Sequence, residues 1–234
     1  SYQSFNYDGN GRLVSSYFQD GPTYMYNTSY YYVGGFLTNV VRIQHDNGDK
    51  SVINEKWSYT NNRVTKIEGK IEGKEGVDRG TYDIEYNSSG QVIKTTWNHF
   101  ENGAITPKYT GISNLTYDGS GNVTQNIYSE KTSFGTSSYT YTYSLYDGKN
   151  NPMRLIAQAI NQPNFTFEIY ENIGEELSKG NPGKEAVSSS SYSSTSTYTY
   201  VYNSKNYPTQ VTETQTDEYG TYTESDKIEY MNCN

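Results

Sequence analysis

Polar and apolar positions alternate through most of the chain. In "SYTYTYS", Tyr139, Tyr141 and Tyr143 fall on one side and Thr140 and Thr142 on the other; "TYTYVY" repeats this with Tyr198, Tyr200 and Tyr202. A period of two is the signature of a β-strand with one face inward, and tyrosine, threonine and valine are strand formers. Breaks in the alternation fall at clusters of Asp, Asn, Ser and Gly, the residues of tight turns.

Those breaks recur in one form. A tyrosine, a polar turn and a branched residue or proline are seen in "YDGNGRL" from Tyr7, "YTNNRV" from Tyr59, "YNSSGQV" from Tyr86, "YDGSGNV" from Tyr117, "YDGKNNP" from Tyr146 and "YNSKNYP" from Tyr202. With the two longest gaps counted as two periods each, the unit is about 28 residues, enough for two strands of about ten residues and their connections. Asp or Asn after the tyrosine can bond its own backbone two residues on, and Gly11, Gly90 and Gly121 supply positive φ for a bulged loop. Asn61-Asn62 suits a two-residue type I′ turn.

The spacing therefore predicts an all-β fold: an up-and-down antiparallel meander of about 12 to 14 strands, rolled into a barrel-like or strongly curved sheet. It forms one repeat-built domain over 1–234. Two regions depart from the repeat. Residues 17 to 37 carry turns at Gly21-Pro22 and Gly34-Gly35 but no recognisable tip motif. Residues 153 to about 190 read as an irregular insert with one short helix within 153–180, followed by a serine-rich loop leading into Tyr198.

Composition sharpens this picture. Only 32% of the 234 residues are hydrophobic, yet 27 are tyrosine, so the core has to be aromatic and partly hydroxylated. The same aromatic and β-branched content excludes a disordered chain. The net charge of −8, with scattered lysine and arginine, argues against nucleic acid and anionic membrane surfaces. Cys233 is the one cysteine, which excludes an internal disulfide and a cysteine metal site. The alternate partners of the tyrosines are threonine and serine, which argues against insertion as a porin.

The strings "YDGKNNP", "LSKGNPG" and "TYTYVYNSKNYPTQV" resemble a family of uncharacterised secreted and lipoprotein domains of Bacteroides-type gut bacteria with a porin-like antiparallel fold. The resemblance implies a secreted or cell-envelope location, with any signal or lipid anchor upstream of Ser1. A weaker resemblance links the tips to the Tyr-Asp repeats of bacterial toxin shells, although only three of the six copies keep the aspartate.

No catalytic motif emerges. His45 and His99 sit beside hairpin features, no Gly-x-Ser-x-Gly elbow exists, and no two acidic residues are paired by spacing. "DGSGN" and "DNGD" read as turns, not calcium loops, and no cofactor or metal is expected. The expectation is a non-enzymatic binding module for a glycan or a cell-surface protein, with candidate aromatic platforms at Tyr30-Tyr31-Tyr32, at Trp57 with Tyr59, and at Trp97. The alternative is a structural spacer without a ligand; a polysaccharide-acting enzyme ranks third.

Overall fold

The computed structural model describes residues 2–73, 76–152 and 177–230. Among the described residues fifteen strands, one more than the upper end of the expected range, form one antiparallel sheet in sequence order. They are β1 (Tyr2–Tyr7), β2 (Leu13–Asp20), β3 (Tyr24–Val33), β4 (Phe36–Asp46), β5 (Asp49–Thr60), β6 (Arg63–Gly73), β7 (Gly76–Tyr86), β8 (Val92–Phe100), β9 (Tyr109–Tyr117), β10 (Val123–Thr132), β11 (Gly135–Ser144), β12 (Lys184–Ser189), β13 (Ser193–Tyr202), β14 (Pro208–Asp217) and β15 (Gly220–Lys227). Each strand pairs with its neighbours in the chain, and β1 and β15 remain as edges, so the sheet is curled and not closed. Residues 184–189, expected within the irregular insert, form β12. The expected helix falls mostly on 153–176, outside the described residues.

All the tyrosine turns lie at one end of the sheet, here the tip end. Asp8 Oδ1 accepts from the amides of Asn10 and Arg12, Asp118 Oδ1 from Ser120 and Asn122, and Asn203 Oδ1 from Lys205 and Tyr207. Four residues after the tyrosine the backbone turns left-handed, at Gly11, Gly90, Gly121 and also at Asn206 (φ 61°). Asn tolerates that conformation better than other residues with a Cβ.

The tightest turns revise the sequence reading. Asn61 and Asn62 have φ of 52° and 61°, and Gly34 and Gly35 have 59° and 86°. "YVGGFL" (32 to 37) is therefore a tip of the same kind as "YTNNRV", contrary to the expectation that 17–37 holds no copy. Its Phe36, where the other short tip has Arg63, disguised it. The long first gap is thus two periods, of 25 and 27 residues.

The tips are interlocked by their tyrosines. The hydroxyl of Tyr32 donates to Leu13 O (2.7 Å), that of Tyr59 to Leu37 O (2.6 Å), and that of Tyr86 to Val64 O (2.8 Å). Tyr117 donates to Val92 O (2.7 Å), Tyr146 to Val123 O (2.6 Å), and Tyr230 to Pro208 O (2.9 Å). Each acceptor is the first or second residue of the strand leaving the preceding tip. Leu13, Leu37, Val64, Val92 and Val123 are all 0% exposed. Tyr32, Tyr59, Tyr86, Tyr117 and Tyr146 pack their rings against the core and use their hydroxyls to tie the preceding hairpin.

Burial pushes the hydroxyls of Tyr32, Tyr59 and Tyr86 well above the usual tyrosine pKa. Register shifts sit at these tips, as between Asn6 and Tyr7 and between Ser58 and Tyr59. A bulge sharpens local twist, and one per hairpin along one end is a means of curling the sheet.

The core lines the inner, concave face and is concentrated toward the tip end: Leu37, Val40, Trp57, Ile67, Ile84, Leu115, Tyr141 and Tyr143 join the tip aliphatics. The segment after the insert closes on this end. Leu177 enters the core, Ser178 Oγ accepts from Val123 N (2.9 Å), and Gly180 N donates to Asn122 Oδ1 (2.9 Å).

Candidate functional site

Away from the tips the inner face changes character. Directly opposed residues share a face, so one row runs across the sheet from Val40 through Glu55, Gly69, Gly80 and His99 to Tyr109. Val40 belongs to the core, which places the whole row inside. The neighbouring row toward the tips holds Trp57, Ile67, Tyr82, Trp97 and Gly111.

Three glycines thus lie in these two rows, and they are there for different reasons. A Cβ on Gly111 would meet Tyr128 Oη at 2.9 Å, so glycine is required for the tyrosine to lie across the strand. A Cβ on Gly69 would find nothing closer than Glu55 Cγ and Gly80 O at 3.9 Å; on Gly80 the nearest atom would be Trp97 Nε1 at 3.7 Å. Those are ordinary contacts, and neither glycine has positive φ. Glycine inside a strand weakens it and often marks close approach of a ligand or another backbone. Gly69 and Gly80, directly opposite each other, leave a bare backbone floor that packing does not demand.

The walls of this trench carry chemistry. On one side Tyr82 stacks with Trp97 (centroids 6.3 Å), Trp97 lies 6.0 Å from His99, and His99 lies 5.7 Å from Tyr109. All four are only partly buried. His99 Nε2 lies 3.6 Å from Asp78 Oδ2, on the side of the far turns. On the other side stands Glu55, with Trp57 Nε1 donating to its Oε2 at 3.3 Å. Burial raises the Glu55 carboxyl above its ordinary pKa, against the opposing influence of Arg42 and of the Trp57 indole. From Glu55 to His99 is three strand spacings, about 14 Å.

The sequence-predicted platforms fare unevenly. Tyr30, Tyr31 and Tyr32 form no common surface: Tyr30 is buried with its hydroxyl 3.0 Å from Ser16 Oγ, Tyr32 belongs to the tip ladder, and Tyr31, 52% exposed, faces outward. Consecutive strand residues alternate faces, so a run of three cannot be one platform. Trp57 is 4% exposed, and Tyr59 packs on Phe36 (5.1 Å) while bonding Leu37 O. Trp97 is the one predicted residue on the trench.

His99, expected as a strand-edge residue, lies on the inner face beside Trp97. The sequence signal that could have found this group is the alternation Trp97-x-His99, read together with a glycine at Gly69 and Gly80 in the middle of strands.

No family model matches this chain, and no curated protein does. Among solved structures, the chain is similar to a porin-like protein from Bacteroides uniformis ATCC 8492, at 12% identity and a TM-score of 0.49, covering 95% of this chain and 88% of that one. It is also similar to a porin-like protein from Bacteroides vulgatus ATCC 8482, at 9% identity and a TM-score of 0.43, covering 97% and 93%.

Proposed function

We propose that the chain is a non-enzymatic binding domain of the bacterial cell envelope or exterior, and that it takes a carbohydrate in the trench over Gly69 and Gly80. The supporting observation is the pair of opposed glycines whose Cβ atoms would fit, flanked by the half-open strip Tyr82, Trp97, His99 and Tyr109. Aromatic rings that keep one face available offer sugar CH groups a flat apolar surface, and the rim of Glu55, Asp78 and His99 offers hydroxyl partners. The envelope location rests on the resemblance of the tip motifs.

The outer face argues for a water-exposed domain. On β6 it presents Lys66 and Glu68, ion-paired at 2.9 Å, and the paired Lys70 and Glu72; nearby stand Glu85 and Lys94, 2.7 Å apart. A barrel in a bilayer carries an apolar band at these positions.

The tyrosine ladder favours a second reading, a structural domain in which every ring serves packing. Titration of Trp fluorescence against plant and host oligosaccharides separates the two. Carbohydrate binding predicts a saturable change that Trp97→Ala weakens by about tenfold or more, and that Gly80→Ala weakens while the melting temperature holds or rises. A flat response from the wild-type protein across the panel would leave the structural reading.

A further inference from the structure

At the β3–β4 end of the same inner face stands an arginine whose buried Nε has no hydrogen-bond partner. Arg42 lies directly opposite Thr28 and diagonal to Glu55, so it borders the trench one strand beyond its Glu55 wall. Its guanidinium rests over the Tyr26 ring, 4.8 Å from the centroid. Its Nε is shut off from solvent and has no hydrogen-bond partner. Arg12, by contrast, is paired with Asp8 at 2.7 Å, and Arg79 reaches Ala104 O at 3.5 Å.

A buried donor left unsatisfied is costly, and a guanidinium offers five donors in a planar fork that matches a carboxylate or another flat array of anionic oxygens. Its stacking on Tyr26 holds the fork in one plane and so reduces the ordering that binding would need. Glu55 is the carboxylate whose charge Arg42 feels, yet no ion pair joins them. The net charge of −8 opposes any anion at long range. At physiological ionic strength, however, exposed charges more than about 8 Å away are largely screened, and Arg42 governs the field at its own end of the trench.

We infer that Arg42 is the specificity-determining residue of the trench, reading an anionic group, carboxylate or sulfate, on an acidic saccharide whose rings lie toward Trp97. The inference rests on the carbohydrate reading above and adds the ligand's charge and orientation. With Arg42 on β4 and Trp97 on β8, the two anchors are four strand spacings apart, roughly 19 Å, so an oligosaccharide is required to span them.

The test uses the full chain, with calorimetric titration of tetragalacturonate, a sulfated galactan oligosaccharide free of carboxylates, and neutral xylotetraose, on the wild type, Arg42→Gln and Glu55→Gln. Tighter binding by about tenfold or more for one acidic probe over xylotetraose, abolished by Arg42→Gln without loss of melting temperature, is the expected result. Whichever acidic probe binds identifies the anion as carboxylate or sulfate.

Glu55→Gln removes the competing carboxylate and keeps an acceptor for Trp57; it is expected to raise the preference for the acidic probe over xylotetraose about threefold or more. It also decides the matter should Arg42→Gln fail to fold. Equal affinity for acidic and neutral probes would overturn the role of Arg42 and leave the carbohydrate site standing, as would an acidic preference that survives Arg42→Gln. Failure of all three probes, with none found in the wider oligosaccharide panel, would sink the carbohydrate reading itself.

Discussion

The two ends of the inner face are built from the same strands and solve different problems. Toward the tips, Leu13, Leu37, Val64, Val92 and Val123 are fully buried beneath a tyrosine ladder. Toward the far turns the same face carries Arg42, Glu55, Asp78 and His99 around two glycines, and its aromatic rings are only partly covered. The contrast shows where stability is generated and where surface is left over. A long strand can anchor at one end and present unsatisfied groups at the other.

Paired truncation is the strongest way to break this comparison. Leu37→Ala removes a side chain with 0% exposure and no room to collapse, and is expected to cost about 2–5 kcal/mol. Ile71→Ala, on the far half of the same face and only partly buried, should cost about 1 kcal/mol. Urea midpoints with unchanged slopes would measure both; equal losses would show that the core runs the full length of the strands.

The ladder gives a second and smaller test. Tyr86→Phe keeps the ring but leaves Val64 O without its donor, for an expected loss of about 1 kcal/mol. The same hydroxyl has a sign in pH. Burial raises its folded-state pKa above the unfolded value of about 10, so its contribution is complete below that value and is lost as pH rises through the folded pKa. Spectrophotometric titration through alkaline pH, with circular dichroism to follow unfolding, reads this directly. Tyr32, Tyr59 and Tyr86 should stay neutral until the chain unfolds. Ionisation of all tyrosines in one step while the fold persists would contradict the ladder.

The smallest effect belongs to a single tip. Asn206 holds φ of 61° where Gly11, Gly90 and Gly121 occupy the equivalent turns. Asn206→Gly relieves that conformation and is expected to change stability by no more than about 0.5 kcal/mol, since glycine's gain in the turn is offset by its freer unfolded chain. A large loss would mean the Asn206 side chain does more than turn the backbone.

Much of the fold was legible because its signals are local. The period of two in Tyr139 to Tyr143 implies a strand wherever it lands, and Asp118 or Asn203 followed by amides at the right spacing forms its turn without tertiary help. The Gly34-Gly35 tip was missed because its turn chemistry is glycine alone, and Phe36 stands where a polar residue marks its sister tip. The trench was less legible. Trp97 could be singled out as an aromatic and Trp97-x-His99 puts two rings on one face, but Gly69 and Gly80 come from other strands and join them only through register.

The division has a physical cause. Alternation, turn chemistry and the tyrosine repeat determined that this chain would be an antiparallel meander with its tips at one end, since each depends on residues within a hairpin. Which ring would be spent on packing and which left open depended on cross-strand partners set by register and by the curl of the sheet. Tyr59 finds a carbonyl 22 residues back and is consumed by the core. Arg42 stacks on Tyr26 but finds no hydrogen-bond partner for its Nε. Nothing in the residues flanking either one distinguishes those fates, because both are decided by what the neighbouring strands bring opposite them.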